Sequence, residues 1–427
     1  MLPCLEKVYQ MVLQTQLQFL DTDPILQIKL QDPYRLILKK EYVHIYKEDE
    51  PFIYFSICFP NVIQWHVIKN LLIGFSIKGF EFTSHQGDLL KKLKQILAGR
   101  LFFSKVQDFF IPLQTLGKGS SSKVLLVKEI DSGEFFAAKC VQKEEMQFQE
   151  IEINNQLQHS AFIKVKEVYQ GETSYYIVMD LLSGKNLQSF LGHHKPLPLE
   201  QTKSIMHALL EGVEYMHSKN IMHRDIKPEN IILEIKGGQV RLKIVDFGLA
   251  TYSTLKRFRY PKCGTPGFVA PEVVNLQNSN QTYDKVCDIF SCGVIFYKLL
   301  TGRDVFPGSG FTYVLELNKK CNIDFSHLTL QLLPANLTES CSKNLRPTAI
   351  ECLNHEFFKN IQKYNVYQKK QGFLQSKQHT VEFNQDQEIQ DYQGSFVTTE
   401  KIQNQSQPKQ KQKTMQKFNT SQFDNII

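Results

Sequence analysis

The sequence has a single tryptophan, no two cysteines spaced as C-x-x-C, and no apolar run long enough to cross a bilayer. Its nine cysteines are scattered and odd in number, which argues against a disulfide scaffold or a zinc ribbon and predicts a reducing, cytoplasmic compartment. The longest apolar stretches, such as residues 289–300, are too short for a membrane span and predict buried helices. The first ten residues place Glu6, and no basic segment, ahead of the apolar residues, so we expect no secretory signal there.

The composition is that of a globular protein. Of 427 residues, 42% are hydrophobic and 22% are charged, and this length predicts two or three domains. The net charge is +7, but no block of lysine and arginine resembles a surface that binds nucleic acid. We therefore expect no nucleic-acid partner.

Residues 25–106 alternate strand-like and turn-like segments before one amphipathic helix. Strands are predicted by three aromatic and β-branched runs, at residues 35–38, 42–46 and 52–59. A turn is predicted at residues 49–51. Five apolar residues share one face of a helix over residues 87–99, which Asp88 would cap and Gly99 would end. This order of elements predicts a small β-barrel with a C-terminal helix.

Both ends of the chain differ from its middle. Residues 1–24 are expected to form an N-terminal extension, and residues 361–427, rich in glutamine and poor in aliphatic residues, predict disorder. The basic stretch over residues 359–370 has spaced Ile, Tyr and Val side chains. It suits a pseudosubstrate or a calmodulin-target helix, or simply a solvated exit from the last helix.

The first motif with chemical content is a glycine-containing turn. Two predicted strands over residues 116–127 are joined by Gly117-Lys118-Gly119, where the missing Cβ atoms would let the backbone approach phosphate groups. A plain hairpin turn has the same signature. Further on, Lys139 stands among apolar residues of a predicted strand. It needs either an anion, such as a phosphate or the carboxylate of Glu150, or an edge position that lets its ammonium group reach water.

A second motif, HRDIKPEN at residues 223–230, packs charged and polar residues into a loop between a predicted helix and a predicted strand. Functional sites often occupy such loops, although a solvated loop would have similar composition. KIVDFGLA follows at residues 243–250. Asp225, Asn230 and Asp246 together offer a base and oxygen ligands of the kind that Mg²⁺ prefers.

The ordered series Gly-x-Gly, Ala-x-Lys, Glu, HRDxKPEN, DFG and APE resembles that of the eukaryotic protein kinase family over about residues 108–358. Lys227 and GTPGFVAPE (264–272) resemble its Ser/Thr branch, close to the calcium/calmodulin-dependent and AGC-like groups. The resemblance implies an α+β, bilobal protein kinase fold with a small β-rich N-lobe and a larger helical C-lobe. It also implies ATP and Mg²⁺ as cofactors and proteins as substrates.

The resemblance assigns roles residue by residue. Asp225 would accept or orient the proton of the substrate hydroxyl group, Lys227 would neutralise charge on the γ-phosphate, and Asn230 and Asp246 would bind Mg²⁺. The residues implied to bind ATP are Gly117, Lys118, Gly119, Ser122, Val124, Ala137, Lys139, Glu150, Met179, Asp180, Leu182 and Ile232.

Three supporting roles are implied as well. Thr265 would hydrogen-bond near Asp225, Asp288 would hold the backbone of the HRD loop, and Arg346 would bridge to Glu272. Thr265 would also shape the acceptor pocket, and we expect the contacts of Asp288 and Arg346 to be structural.

Several positions depart from the family pattern. Ser122 replaces the third glycine of the phosphate loop, which predicts weaker ATP binding. The separation of Lys139 from Glu150 is short, so Glu145 is a competing partner. Asn154 stands where relatives carry an apolar residue, and a buried amide there needs a hydrogen-bond partner.

The activation segment over residues 249–268 carries Pro261 where many relatives have a phosphothreonine. Arg224 would still form a basic pocket for a phosphate, and Ser253 and Thr254 are substitute acceptors. We expect an enzyme that is active without this phosphate.

Two functions from different classes follow. The first is an active Ser/Thr protein kinase, and the second is a catalytically weak, pseudokinase-like scaffold that binds ATP or partners. A small-molecule kinase is disfavoured because APE and GTPGF resemble the peptide-docking segments of protein kinases.

The N-terminal region resembles a pleckstrin-homology-like domain that lacks the usual helical tryptophan, since the one tryptophan is Trp65. Lys39, Lys40 and Lys47 could contact phosphoinositide headgroups and place the protein at membrane surfaces, or they could form a solvated rim. Lipid binding, protein docking and autoinhibition all remain open for this domain.

Overall fold

The computed structural model describes residues 24–118, 122–192, 196–236, 239–278, 280–324 and 343–359. The predicted tail over residues 361–427, nearly all of the predicted extension over 1–24, and the basic stretch beyond residue 359 lie outside the described residues. Across the described ranges, no helix combines the length and apolar character that a membrane crossing requires.

Residues 25–106, which we name the N-terminal domain after the prediction, begin with a four-stranded antiparallel sheet. Its strands, in spatial order, are β1 (Leu26–Lys29), β2 (Tyr34–Leu38), β3 (Tyr42–Lys47) and β4 (Glu50–Ser56). Leu36 and Val43 are buried while their strand neighbours are more exposed, the two-residue alternation that gives a sheet one apolar face. The turn predicted at residues 49–51 is wrong by one residue, because Glu48 and Asp49 form it and Glu48 has a left-handed φ of 55°.

A second set of elements completes this domain. They are β5 (Val62–Ile68), β6 (Leu71–Ile77), β7 (Phe80–Thr83), helix α1 (Gly87–Leu97) and β8 (Phe102–Ser104). Strands β5 to β7 pair as an antiparallel meander. Seven strands precede the helix, as expected from the sequence, but β8 follows it, so the prediction that the helix is the last element of this region is wrong.

Helix α1 differs from its prediction at the start and agrees at the end. Asp88 is not the N-cap, because the helix already begins at Gly87, which places Asp88 in the first turn where its charge favours the helix dipole. Gly99 lies just past the helix with a φ of 71°, the conformation that ends many helices. The side chains that α1 buries are Leu90, Leu93, Lys94 and Leu97.

The small lobe consists of five strands and one helix. They are β9 (Phe110–Lys118), β10 (Ser122–Glu129), β11 (Phe135–Gln142), α2 (Phe148–Gln156), β12 (Val165–Gln170) and β13 (Ser174–Asp180). All neighbouring strands within the lobe are antiparallel. Leu125 and Val178 are fully buried in a core that also contains apolar side chains of the N-terminal domain.

Strand β8 joins the N-terminal domain to the small lobe. It pairs in parallel with β5, through Val62 and Phe102, and with β12, through Phe103 and Tyr169. The resulting nine-stranded sheet has the order β7-β6-β5-β8-β12-β13-β11-β10-β9. The regions predicted as separate domains, residues 25–106 and 108–358, therefore share one sheet.

The large lobe is mainly helical. Its elements are β14 (Lys185–Asn186), α3 (Leu187–Leu191), α4 (Leu199–Ser218), β15 (Ile221–Met222), β16 (Ile231–Lys236), β17 (Gln239–Ile244), β18 (Thr251–Tyr252), α5 (Pro271–Val274), α6 (Val286–Thr301), α7 (Phe311–Lys320) and α8 (Ala349–Leu353). The apolar run at residues 289–300 lies within α6, most of whose side chains are buried, as predicted. A β-rich lobe followed by a helical lobe is the α+β, bilobal arrangement expected from the sequence.

Candidate active site

Lys139, on strand β11, forms ion pairs with residues from both lobes. Its Nζ lies 2.6 Å from Oε1 of Glu150 on α2 and 3.1 Å from Oδ1 of Asp246. Burial alone would lower the pKa of Lys139, but the two carboxylates outweigh it and raise this pKa above its ordinary value. The side chain is therefore a permanent cation at neutral pH. Of the two acids proposed as its partner, the structure pairs Glu150, and not Glu145, with Lys139.

Asp246, just after β17, adopts a left-handed backbone with a φ of 66°. This conformation is uncommon outside glycine and tends to occur at functional sites. Burial raises the pKa of the Asp246 carboxyl, but Lys139, together with His223 and a backbone hydrogen bond from Gly248, lowers it below its ordinary value. The carboxylate is thus ionised, and 52% of its side-chain surface remains exposed to a ligand.

Asp225, in the loop between β15 and β16, is surrounded by three donors. Thr265 Oγ1 lies 2.6 Å from Oδ1, while Lys227 Nζ and Asn230 Nδ2 lie 2.8 and 3.2 Å from Oδ2. The 3₁₀ turn Pro228–Asn230 folds the loop back on itself, so that Asn230 Nδ2 also donates to the Asp225 carbonyl at 2.9 Å. The predicted contact of Thr265 with Asp225 is confirmed.

Asp288 on α6 binds the backbone of the loop that carries Asp225. Its carboxylate, fully buried, accepts the backbone N–H groups of His223 at 2.9 Å and Arg224 at 2.8 Å, and it pairs with His217 Nε2 at 3.0 Å. Burial raises the pKa of Asp288, but the hydrogen bond and charge of His217 lower it below its ordinary value. The predicted supporting role of Asp288 is confirmed.

Three contacts tie the Asp225 loop to the Asp246 loop. His223 Nε2 lies 3.1 Å from the carbonyl oxygen of Val245, and Val245 N donates to the carbonyl of Asn230 at 3.0 Å. The rings of His223 and Phe247 lie 4.9 Å apart. The cluster around Asp225 and the cluster around Lys139 are therefore parts of one site.

The residues implied to contact adenine lie on inner strands of the small lobe, on the segment that follows them, and on one strand of the large lobe. Ala137 on β11 is the cross-strand neighbour of Met179 on β13, and Val124 on β10 is the cross-strand neighbour of Lys139. Ile232, on β16 of the large lobe, pairs with Asn186. Asp180 ends β13, and Leu182 follows it in the segment that leads to the large lobe.

The phosphate loop is only partly described. Gly117 is the cross-strand neighbour of Val124, and Lys118 faces Lys123. Among the described residues, which leave out 119–121, no atom lies within 4 Å of a Cβ atom built on Gly117. Ser122 begins β10, whereas Gly119 lies outside the described residues.

The donor set fits a hard divalent cation. Asp246 offers an ionised carboxylate. Within the described residues, both hydrogen bonds of the Asn230 side chain use Nδ2, so the side-chain oxygen Oδ1 is left for a ligand. Mg²⁺ is commonly held by one or two protein oxygens together with phosphate oxygens. No group of three or more His, Cys, Asp or Glu side chains in the described ranges forms an all-protein metal site.

Arg224 donates three hydrogen bonds to protein acceptors through its side chain. Nε donates to the Leu249 carbonyl at 2.7 Å, and Nη1 donates to the Tyr260 carbonyl at 2.7 Å and to the Tyr283 hydroxyl at 3.1 Å. The guanidinium also lies 5.3 Å from the ring centroid of Phe258. Two acceptors and one ring of this set belong to the activation segment, so Arg224 holds that segment without a phosphate.

The APE segment is anchored to the end of the large lobe. Arg346 donates to both carboxylate oxygens of Glu272, at 2.7 and 3.2 Å, and to the carbonyl of Val286. The predicted bridge is confirmed, and its two-pronged geometry is the strong form of an arginine–carboxylate contact.

A family model for the protein kinase domain matches residues 110–358, more than half of the chain. The chain belongs to the protein kinase family.

Curated kinases resemble the chain at modest identity. It is 30% identical over 309 residues to calcium-dependent protein kinase 4 of Plasmodium falciparum (isolate 3D7), covering 69% of this chain and 57% of the relative. It is 32% identical over 272 residues to cAMP-dependent protein kinase type 3 of Saccharomyces cerevisiae, covering 60% and 66%. A probable serine/threonine-protein kinase 2 of Plasmodium falciparum (isolate K1 / Thailand) is 32% identical over 266 residues, covering 59% and 50%. The chain spans about half the length of the calcium-dependent and serine/threonine kinases of Plasmodium that it matches.

Two features of this chain were missed or only partly predicted from the sequence. Asn154 donates through Nδ2 to the carbonyl of Glu150 at 3.2 Å, while its buried Oδ1 has no hydrogen-bond partner among the described residues. Lys94 forms a buried ion pair with Glu167 on β12. The only sequence signal for this pair is that Lys94 falls on the apolar face of α1, between Leu90 and Leu97.

Proposed function

We propose that the protein is an ATP- and Mg²⁺-dependent protein serine/threonine kinase that transfers the γ-phosphoryl group of ATP to Ser and Thr hydroxyl groups of protein substrates. The observation that carries this proposal is the contact set of Asp225, whose carboxylate receives Thr265, Lys227 and Asn230 within 3.2 Å. A base, a cation for phosphate charge and an amide ligand are thereby collected at one place.

The roles follow from charge and geometry. Lys139, fixed by Glu150, would bind the α- and β-phosphates, and Mg²⁺ held by Asp246 and Asn230 would neutralise phosphate charge. Asp225 would accept or orient the proton of the acceptor hydroxyl group, and Lys227 would meet the γ-phosphate. Because the reaction depends mainly on positioning and charge stabilisation, each of these groups is needed.

The adenine site would be formed by Val124, Ala137, Met179, Leu182 and Ile232, with backbone groups near Asp180. The phosphate loop would be formed by Gly117, Lys118, Gly119 and Ser122. In its support, no atom of the described residues lies within 4 Å of a Cβ atom built on Gly117. Ser/Thr specificity is supported by the contact of Lys227 with Thr265, at 2.8 Å, and by the names of the relatives.

The experiment is transfer of labelled γ-phosphate from ATP to a mixture of basic proteins and a Ser/Thr peptide library. Transfer should stop when Mg²⁺ is chelated and return when it is restored. Asp225→Asn and Asp246→Asn should each lower the rate by about a hundred-fold or more. Asp304→Asn, which alters an exposed ion pair with Lys298, should leave the rate unchanged. Equal rates in Asp246→Asn and wild type would refute the proposal.

A catalytically weak scaffold is the second candidate, and the observation in its favour is that the buried Oδ1 of Asn154 has no hydrogen-bond partner in the part of the chain that the structure describes. It predicts that ATP raises the melting temperature of the wild-type protein although no phosphate is transferred. The transfer assay and the thermal shift together therefore separate the two functions.

For the N-terminal domain we propose a pleckstrin-homology-like fold, supported by four strands, then three, then one helix. A phosphoinositide or protein ligand stays a prediction. Lys39 and Lys40 follow β2 and Lys47 ends β3, so they flank opposite ends of β3 and do not form a single headgroup site. Flotation with phosphatidylcholine vesicles, with and without phosphoinositides, tests peripheral membrane binding.

A further inference from the structure

Aromatic side chains of the N-terminal domain cover the first turn of α2, the helix that carries Glu150. The ring of Phe148, the first residue of α2, lies 5.5 Å from that of Phe102 on β8 and 6.4 Å from that of Phe59, which it stacks at 12°. Phe102 is fully buried and also stacks on Tyr175 of β13 at 4.8 Å. The start of α2 is thus packed against another domain.

The last turn of α2 meets the same domain. Asn155 donates through Nδ2 to the backbone carbonyl of Gly99, in the loop after α1. Gly99 has the left-handed φ of 71°, and a Cβ atom at this position would lie 3.4 Å from Asn155 Oδ1. The loop therefore approaches α2 closely, and the hydrogen bond gives the helix a second external attachment.

Helix α2 has little stability of its own. It has nine residues, its N-cap residue Gln147 makes no side-chain capping bond, and two of its residues are asparagines, which are poor helix formers. Isolated helices of fewer than about 12 residues are marginal in water. The buried Oδ1 of Asn154, which meets no hydrogen-bond donor within the described ranges, adds an unsatisfied polar atom. The position of this helix consequently depends on contacts from outside it.

The surface that α2 meets is fixed relative to the small lobe. Strand β8 is hydrogen-bonded to both β5 and β12, and Phe102 shares a core with Ile151 of α2. The buried pair of Lys94 and Glu167 connects α1 to β12 as well. A platform held in this way can set the position of a short helix.

We infer that Phe148 and Asn155 are positioning residues through which the N-terminal domain holds α2, and with it Glu150, at hydrogen-bond distance from Lys139. The catalytic consequence rests on the proposed kinase function, because the Lys139–Glu150 pair serves the nucleotide phosphates there. The N-terminal domain is then a built-in activator. Among the described residues, none of its hydrogen bonds, ion pairs or ring contacts involves Asp225 or Asp246, which does not suit an autoinhibitory plug.

The test compares full-length variants Phe148→Ala, Asn155→Ala and their combination with Phe135→Ala. Phe135, at the start of β11, is a matched control, because this residue is 39% exposed and Phe148 is 38% exposed. The ring of Phe135 contacts Lys128 of β10 and no residue of the N-terminal domain is needed for that contact. We expect the combined variant to raise KM for ATP and to lower kcat/KM for ATP about ten-fold or more, with KM for the peptide unchanged. The conservative variant Phe148→Leu should keep most of the kcat/KM for ATP that Phe148→Ala loses. A lowered melting temperature with unchanged kinetics for ATP would overturn the inference.

Hydrogen exchange of the α2 amides decides the inference separately from activity. In the combined variant these amides should exchange about ten-fold faster than in wild type, while those of α6 stay the same. If wild type transfers no phosphate, the proposed function fails, but faster exchange confined to α2 still supports the positioning role. Unchanged exchange in α2 refutes it, whatever the activity.

Discussion

The ammonium group of Lys94 and the carboxylate of Glu167 form an ion pair between helix α1 of the N-terminal domain and strand β12 of the small lobe. Both side chains are at least nine-tenths buried. Tyr169 donates its hydroxyl to the same carboxylate, and the Lys94 ammonium lies 4.3 Å from the ring centroid of Phe109 and 5.0 Å from that of Phe103. Burial lowers the pKa of Lys94 despite Glu167, so the pair balances a large desolvation cost with its own contacts.

Removing one member of this pair should therefore lower the free energy of unfolding substantially. Lys94→Met leaves Glu167 buried without its cation, and we expect a loss of about 3 kcal/mol in the free energy of unfolding, measured by urea denaturation. Lys94→Met combined with Glu167→Gln should recover part of that loss. Lys91→Met is the control on the same helix, since Lys91 pairs with Asp131 at an exposed site, and it should cost less than about 1 kcal/mol. Equal losses for Lys91→Met and Lys94→Met would contradict this account.

The choice between two acids near α2 gives a prediction about catalysis. Glu150→Gln removes the charge that holds Lys139 and should lower kcat/KM for ATP about a hundred-fold. Glu145→Gln, which changes an exposed acid just before the helix, should alter it less than about two-fold. Steady-state kinetics at varied ATP concentration measure both. A larger loss for Glu145→Gln would show that the pairing is exchanged when nucleotide binds.

Arg224 predicts activity without phosphorylation of the activation segment. Because its guanidinium already binds the carbonyls of Leu249 and Tyr260, protein treated with a phosphatase should keep its rate. Ser253→Ala with Thr254→Ala should likewise keep it within about two-fold. Mass spectrometry verifies that the phosphate is absent. A phosphatase-treated enzyme that regains activity only on incubation with ATP would contradict the prediction.

The buried carboxylate of Asp288 predicts an acid-sensitive stability. Its pKa is below the ordinary value of 3.8, so its contribution is present above that pH and is lost as the pH falls through the folded-state pKa. Asp288→Asn should lower the free energy of unfolding by about 3 kcal/mol at pH 7. The difference from wild type should shrink in denaturation curves recorded at decreasing pH below 3.8. A constant difference across that range would exclude the linkage.

Local chemistry in the sequence was enough to predict much of the site. Lys139, Asp225, Asn230 and Asp246 occur in recognisable short strings, and the fold brings their side chains to one place. The helix over residues 87–99 was predictable because its apolar residues repeat at helical spacing. Its start was not, because Gln86 and Gly87 precede Asp88 without a distinctive capping signal.

Contacts between distant segments were the part that could not be predicted. Nothing in the string around Lys94 identifies Glu167 as its partner, since the two meet only when α1 packs on β12. The parallel pairing of β8 is equally hidden, because a strand of three residues has too little pattern to be recognised. Two of the acceptors that Arg224 binds are backbone carbonyls, and the sequence does not show which carbonyls a side chain will meet.

The parallel pairing of β8 has a practical consequence for anyone who expresses the catalytic part alone. A fragment starting at residue 108 would lack Phe103 and Ser104, the partners of Tyr169 and Gln170, and would expose the rim of β12 as a row of unsatisfied amides and carbonyls. Such rims recruit strands from other molecules. Self-association and precipitation of such a fragment would therefore result from its N-terminal boundary, and an expressed protein should include the residues from 25 onward.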